Sequence, residues 1–259
     1  MKKRIDQWLV EKGLASSRTQ AQDLINNKQV RVYKNGLPFP VEKANHSFLL
    51  TELENQLRIE ILPGTVGKYV SRGGLKLEGA LDHVGLNVKD FIALDVGVST
   101  GGFSEVLLKR GAAQVFGLDV GHGQTHERLK SDPRFKLFEG VNIKDMDDRL
   151  DVSFSFPALG FDLVVIDVSF IRLELVWPKA CGFLKVGGKL LSLIKPQFEL
   201  GPSALGKNGI VKNEELYSLL HDNMIQLAQR LGLQKLDYFE SSIQGKEGNR
   251  EFFIFASKI

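Results

Sequence analysis

From about residue 68 onward, short apolar runs alternate with amphipathic stretches, and one junction carries most of the constraint: residues 94–103 read Leu-Asp-Val-Gly-Val-Ser-Thr-Gly-Gly-Phe. Strands buried on both faces read as near-continuous apolar runs, and their alternation with helices predicts a parallel sheet covered on both sides. The expected strands are residues 91–94, 115–118, 135–138, 163–166 and 190–194, with helices expected at 103–110, 173–184 and 216–231. Two late runs, 236–239 and 251–255, have no long helix between them and predict a terminal hairpin added to a doubly wound sheet.

The junction itself is a ligand cradle in outline. Gly97, Gly101 and Gly102 let backbone approach a bound molecule closely, and the carboxyl edge of an open α/β sheet is where such folds bind ligands. Ser99, Thr100 and Phe103 complete the bend, and Asp119, at the end of the next strand, is placed to accept hydrogen bonds from a ribose diol. A dinucleotide fingerprint would read G-x-G-x-x-G and seat a pyrophosphate on the helix N-terminus. This loop reads G-x-x-x-G-G and opens with Asp95, whose charge would repel a pyrophosphate but suits the cationic methionine end of S-adenosylmethionine. Asn142 and Asp167 are added to the expected cofactor contacts, and Glu139 and Asn142 are read either as reaching the adenine or as shaping their loop.

The N-terminal sixty residues have a different pattern. Ile5, Trp8, Leu9 and Leu14 predict a short amphipathic helix ending near Gly13. Ser16 or Ser17 then caps a second helix that turns Ala21, Leu24 and Ile25 inward and closes at Asn26-Asn27. Val30 and Val32 alternate with polar neighbours before Asn35-Gly36, a hairpin signal, and Leu57, Ile59 and Ile61 alternate again before Pro63-Gly64. Positive charge concentrates here: residues 1–34 hold eight basic side chains against three acids, although the whole chain carries only +3. That distribution suits a phosphate-facing surface. A single cysteine, Cys181, excludes an intramolecular disulfide and Cys-rich zinc sites and fits a reducing compartment. No apolar stretch is long enough to cross a bilayer, and the N-terminus does not read as a signal peptide. A cytoplasmic protein is expected, with no metal site; His122 and His126 are read as surface or substrate-edge positions.

The sequence also narrows the chemistry. Amino methylation of adenine or cytosine usually goes with a D/N-P-P-aromatic motif after the fourth strand, where this chain has Asp167-Val168-Ser169-Phe170. Methylation at pyrimidine C5 needs a cysteine nucleophile, and Cys181 falls within an expected helix, as a core residue would. What stands at strand ends is a pair of opposite charges, Asp167 and Lys195. A ribose hydroxyl is a poor nucleophile, so its methylation gains from a nearby base or from a cation that stabilises the developing alkoxide. A structural salt bridge would show the same letters, so both readings stand.

Residues 4–36, through Arg4-Ile5-Asp6, Ser17-Arg18-Thr19-Gln20-Ala21, Lys28 to Val32 and Asn35-Gly36, resemble the S-four-like RNA-binding domain shared by a ribosomal small-subunit protein and several RNA-modifying enzymes. That resemblance implies Arg4, Arg18, Lys28 and Arg31 as RNA contacts. Residues 70–255 resemble the FtsJ-type ribose 2′-O-methyltransferases, and the whole chain resembles the TlyA subfamily, often labelled hemolysin. The motifs are VSRGGLKLEGAL (Val70 to Leu81), LDVGVSTGGF, LDVGHGQ (Leu118 to Gln124), IDVSFI, IKPQFE and GNREFF. The family's Lys-Asp-Lys-Glu tetrad maps onto Lys76, Asp167, Lys195 and Glu251, with Glu247 close to the last. By resemblance, Lys195 activates or stabilises the 2′-oxygen, Asp167 orients it, and Lys76 and Glu251 position the hydroxyl and its ribose. The implied architecture is a Rossmann-like methyltransferase sheet with a C-terminal β-hairpin plus a small N-terminal α+β domain. Its expected bounds are 1–62, a linker at 63–69 with a hinge, and 70–259. The implied cofactor is S-adenosylmethionine and the implied partner is ribosomal RNA or a ribosomal subunit.

Three rival readings are weaker. Arg149-Leu150-Asp151 mimics part of a pseudouridine synthase motif but lacks its flanking residues. A ribosome-assembly protein without catalysis would not need the tetrad. A membrane-damaging protein would need a membrane-active segment, and the apolar runs match buried strands instead.

Overall fold

The computed structural model describes residues 2–15, 17–26, 28–41, 43–62, 68–153, 155–206, 209–245 and 248–259, apart from the side chains of Leu50 and Leu150. The chain divides into two compact units, Met1–Tyr69 and Val70–Ile259. The hinge expected within residues 62–68, and Glu247, lie largely or wholly outside the described residues.

In the first unit, β1 (Lys2–Arg4) leads into α1 (Ile5–Glu11) and α2 (Arg18–Asn26), followed by β2 (Val30–Lys34), β3 (Leu37–Phe39), β4 (Ser47–Leu49), α3 (Leu50–Asn55) and β5 (Leu57–Ile61). The Ser17 hydroxyl accepts from Gln20 N at 3.2 Å, so of the two expected caps the second serine does the capping. Asn35 and Gly36 both have positive φ, 51° and 81°, which is what a two-residue turn needs to match strand twist between β2 and β3. Strands β3-β2-β5 form one antiparallel sheet. The β1–β4 pair and α3 were not expected, because three-residue strands leave no alternation to read. Ile5, Leu9, Ala21, Leu24, Ile25, Val32, Phe48 and Leu53 make the core.

Beneath the basic surface, Asp6 is fully buried. Arg4 grips it with two hydrogen bonds, 3.0 and 2.7 Å, Gln22 donates at 2.9 Å, and Arg18 reaches it at 3.5 Å. Burial pushes the carboxyl up, but the hydrogen bonds from Gln22 and Arg4 and the charges of Arg4 and Arg18 outweigh it and hold Asp6 below the usual range.

The second unit runs α4 (Arg72–Val84), β6 (Ile92–Val96), α5 (Gly102–Lys109), β7 (Gln114–Asp119), α6 (Glu127–Lys130), β8 (Phe135–Glu139), α7 (Leu150–Ser153), β9 (Phe161–Ile166), α8 (Trp177–Gly182), β10 (Leu184–Ile194), α9 (Pro196–Glu199), α10 (Glu215–Arg230), β11 (Leu233–Glu240) and β12 (Phe252–Lys258). Its sheet has the order β11-β12-β10-β9-β6-β7-β8. The strands from β10 to β8 are parallel, and β12 runs antiparallel between β10 and β11. The expected sheet and terminal hairpin are therefore present, with longer strands. β10 begins six residues earlier than its apolar run, because Gly187 and Gly188 carry a register shift that alternation cannot reveal. The helix expected at 173–184 is instead a 3-10 turn, Leu173–Leu175, followed by the shorter α8, with Pro178 in its first turn. Proline fits the first turn of a helix and breaks its interior, so Pro178 starts a new helix and the stretch divides into two elements. β6 and β9 are neighbours from which the chain winds outward in opposite directions, leaving a crevice at their carboxyl ends.

Candidate active site

Every tetrad position lies at that carboxyl edge. Asp167 directly follows β9, and its backbone N–H donates to Val96 at the end of β6. Lys195 directly follows β10, and Glu251 directly precedes β12. Ile194 pairs with Phe252, so antiparallel register sets Lys195 and Glu251 across from one another. Lys76 comes from α4, one turn beyond Gly73, where an added Cβ would stand 3.7 Å from Asp167 Oδ2.

The four charges are arranged as two pairs. Lys76 Nζ donates to Glu251 Oε2 at 2.5 Å, with Lys76 11% and Glu251 3% exposed. Lys195 Nζ stands 2.6 Å from Asp167 Oδ1, an ion pair whose angles fall outside those of a hydrogen bond, and donates to Ser169 Oγ at 2.9 Å. The Phe198 ring lies 6.0 Å from Lys195 Nζ and forms an apolar wall with the exposed ring of Phe170. Removing one member of a buried pair leaves an uncompensated charge, a loss of about 3–5 kcal/mol.

The glycine bend adjoins these pairs. Gly97 has φ 92°, and a Cβ there would meet the Asp167 carbonyl oxygen at 2.5 Å, so only glycine lets β6 and β9 close at this point. Gly102 opens α5, where a Cβ would stand 2.3 Å from Ser71 Oγ and 2.7 Å from Gly74 N; Gly101 is the preceding cap residue. Ser99, at positive φ, donates its N–H to Asp119 Oδ2 at 2.5 Å, and Gly121 N donates to Asp119 Oδ1 at 2.7 Å. The carboxylate of Asp119 is thereby fixed at the strand end. Thr100 accepts from His126 N through its carbonyl at 3.2 Å, which ties the bend to the loop before α6.

Asp95 is the most unusual group here. It is fully buried; Ser104 Oγ donates to Oδ2 at 2.6 Å, and Oδ1 has no hydrogen-bond partner. Burial pushes its carboxyl up to about 7; hydrogen bonds from Ser104 pull it down, and the charges of Asp167 and Asp119 push it further up. A buried carboxylate with one unused oxygen lacks a cation, and the ammonium of a methionine moiety is a group of that kind. With the fixed Asp119 carboxylate and the tight glycine bend, the residues present fit S-adenosylmethionine.

Other expected positions have different surroundings. Phe103 is buried, its ring stacked on Phe253 at 6.4 Å, and so belongs to the packing between α5 and the sheet. Asn142 Oδ1 accepts from Lys144 N at 3.1 Å and caps a 3-10 turn, while Glu139 accepts from Gly123 N at 2.8 Å. These contacts match the loop-shaping alternative. His126 caps α6, and the exposed His122 packs on Gly140. Cys181 is buried, and burial pushes its thiol up to about 12. Two residues without an expected role are Ser104 and Ser169. The signal for Ser104 was a hydroxyl amid Phe103, Val106 and Leu107 on a helix otherwise directed at the sheet. In the first unit, Arg31 and Lys28 are exposed, whereas Arg4 and Arg18 are engaged with Asp6.

Residues 69–258 match the FtsJ-like methyltransferase family, and residues 3–32 match the S4 domain. Over 254 residues the chain is 37% identical to the 16S/23S rRNA (cytidine-2'-O)-methyltransferase TlyA of Mycobacterium tuberculosis, covering 97% of this chain and 88% of that protein. It is 34% identical over 249 residues to the Hemolysin A of Brachyspira hyodysenteriae, covering 96% of this chain and 97% of that one. A solved structure described as a hemolysin from Streptococcus thermophilus superposes with a TM-score of 0.71 at 33% identity, covering 99% of this chain and 88% of that one. A methyltransferase structure from Listeria monocytogenes, 15% identical with a TM-score of 0.53, shares the fold. With the first match spanning residues 69–258 and such relatives spanning nearly the whole chain, the chain belongs to the FtsJ-like methyltransferase family.

Proposed function

We propose that this chain transfers the methyl group of S-adenosylmethionine to the 2′-hydroxyl of a ribose in ribosomal RNA, with cytidine, the nucleotide named for its TlyA relative, as the target. The observation that carries the reading is the pair of lysine–carboxylate contacts at the carboxyl edge of the sheet, next to the glycine bend and the unsatisfied Asp95. When bound, the cofactor supplies an electrophilic methyl group on a sulfonium. Asp119 would hold its ribose diol and Asp95 its ammonium. A lysine ammonium has three N–H donors. With Asp167 and Ser169 fixing Lys195, a further N–H is left to meet the 2′-oxygen and stabilise the negative charge that grows on it as the hydroxyl proton passes to solvent water. Asp167 orients the ammonium, and the Lys76–Glu251 pair offers one donor and one acceptor to position the ribose.

The S4 domain match supports an RNA substrate, and exposed Lys28 and Arg31, with Arg4 and Arg18 set by Asp6, are assigned to its phosphates. On this reading the substrate is met in the cytoplasm, where ribosomal RNA and subunits are found. The test is incubation of the purified protein with methyl-labelled S-adenosylmethionine and ribosomal subunits lacking the modification. Label in 2′-O-methyl nucleotides that disappears with Lys195→Ala is the expected result. Binding of the cofactor without label on any ribosomal RNA would count against the reading.

A further inference from the structure

We infer that Ser104 is a positioning residue of the cofactor site: its hydroxyl keeps Asp95 ionised and fixed, with the second carboxylate oxygen presented to the ammonium of S-adenosylmethionine. This rests on the proposed cofactor reading and adds to it a residue and a charge state. Ser104 and Asp95 come from different elements, α5 and β6, and both are completely buried. Their bond of 2.6 Å lies in the range of charge-assisted hydroxyl–carboxylate bonds. It occupies Oδ2 alone, and Oδ1 has no partner.

The surroundings make that one bond decisive. The charged groups acting on Asp95 are Asp167 after β9 and Asp119 at the end of β7, and both oppose its ionisation. The nearby cations are committed elsewhere: Lys195 to Asp167 and Lys76 to Glu251. On α5, Glu105 faces Val70 N, Arg128 and Lys109. Among the described residues Asp95 makes no ion pair. Ser104, through its side chain and backbone, is thus what favours the charged form against burial and two like charges. A neutral Asp95 would offer the ammonium a far weaker acceptor, so cofactor affinity follows the fraction of Asp95 that is ionised. Since burial pushes that group up to about 7, the dependence falls in the neutral range.

The experiment is titration calorimetry of the full chain with S-adenosylmethionine from roughly pH 6 to 8.5, a window spanning the Asp95 transition. It uses the unsubstituted protein, Ser104→Ala, Ser104→Cys, Asp95→Asn and the Asp95→Asn/Ser104→Ala double variant. Loss of the hydroxyl raises the Asp95 midpoint. Ser104→Ala is therefore expected to weaken Kd about tenfold at the acid end, one pKa unit, and to close most of that gap at the alkaline end. Taking the ratio to the unsubstituted protein at each pH cancels titration of the cofactor's own amine. In the Asp95→Asn background, removal of the hydroxyl should change Kd less than about twofold, since coupled residues lose their effect together. Ser104→Cys, nearly isosteric with a weaker donor, should fall between, and gives the same readout if the alanine variant does not fold. A ratio constant across pH, or an equal loss in the Asp95→Asn background, would overturn the inference and leave Ser104 a packing residue. No binding by the unsubstituted protein at any pH would overturn the cofactor reading itself.

Discussion

Lys195 illustrates how little freedom the reacting groups have. Its charge is matched by Asp167, one N–H is directed to Ser169, and Phe198 walls one side. Replacing it by alanine removes a donor from the developing alkoxide, and losses of that kind are on the order of 10²–10³ in kcat. Single-turnover methyl transfer with Lys195→Ala should show that loss while S-adenosylmethionine Kd changes less than about threefold, because Lys195 pairs with Asp167 rather than with the bend. Cys181 makes the opposite case. With burial pushing the thiol up to about 12, it is not a nucleophile at neutral pH. Cys181→Ala should keep transfer within about twofold, and a thiol reagent should label the native protein only after unfolding, by mass spectrometry. The tetrad letters were legible in the sequence because each lies in a motif, but their pairing was not. That Lys76 meets Glu251 depends on a helix packing beside a strand 175 residues away. For Ser104 the apolar neighbours Phe103, Val106 and Leu107 mark burial, but its partner Asp95 lies on another element and no local pattern names it.

At the scale of elements, α9 shows a cost of building the edge. Glu199, at its end, is mostly buried and accepts from Leu173 N at 3.0 Å; burial pushes it up to about 7, against smaller effects of the Leu173 bond and Arg172. Its folded midpoint lies above the unfolded one, so the folded state holds a proton that the unfolded chain releases. The contribution of Glu199 is full below the unfolded midpoint, near 4.5, and declines as pH rises through this window toward 7. Glu199→Gln keeps the acceptor and removes the titration. Thermal unfolding should show a gain of about 1–3 kcal/mol at alkaline pH that vanishes near pH 4. Elements with a strong local signal were readable in advance: the parallel strands from their apolar runs, α10 from its amphipathic period, and the β2–β3 turn from Asn35-Gly36. β1, β4 and α3 were not, since three to six residues carry too little pattern and are held by tertiary contacts. The run at 173–184 was hydrophobic enough for one helix, and only Pro178 marked the break.

On the scale of the whole molecule, the charge balance is uneven in the way RNA binding needs. The net +3 is modest, but the first 34 residues carry +5 and the rest of the chain −2. Lys28 and Arg31 are exposed, and if each neutralises one phosphate, their joint replacement by alanine should reduce the slope of log K against log salt by about 1.5. Fluorescence anisotropy with a ribosomal RNA fragment at several ionic strengths measures that slope. Arg4 and Arg18 should have a larger effect per residue, because without them the buried Asp6 keeps hydrogen bonds from Gln22 and Gln7 N but loses its cations.

The strand order has a consequence in time. β12 is the last strand along the chain, yet it lies between β10 and β11, both synthesised earlier, and it brings Glu251 to Lys76. β11 has no seat on the sheet until β12 arrives, so the last two of its seven strands are laid down in the reverse of the order in which they are translated. A chain still being made can complete its cofactor bend, which needs only β6, β7, β9 and the helices between them. It cannot complete its tetrad. The four charges of the tetrad therefore stand together only once the closing strand is in its slot.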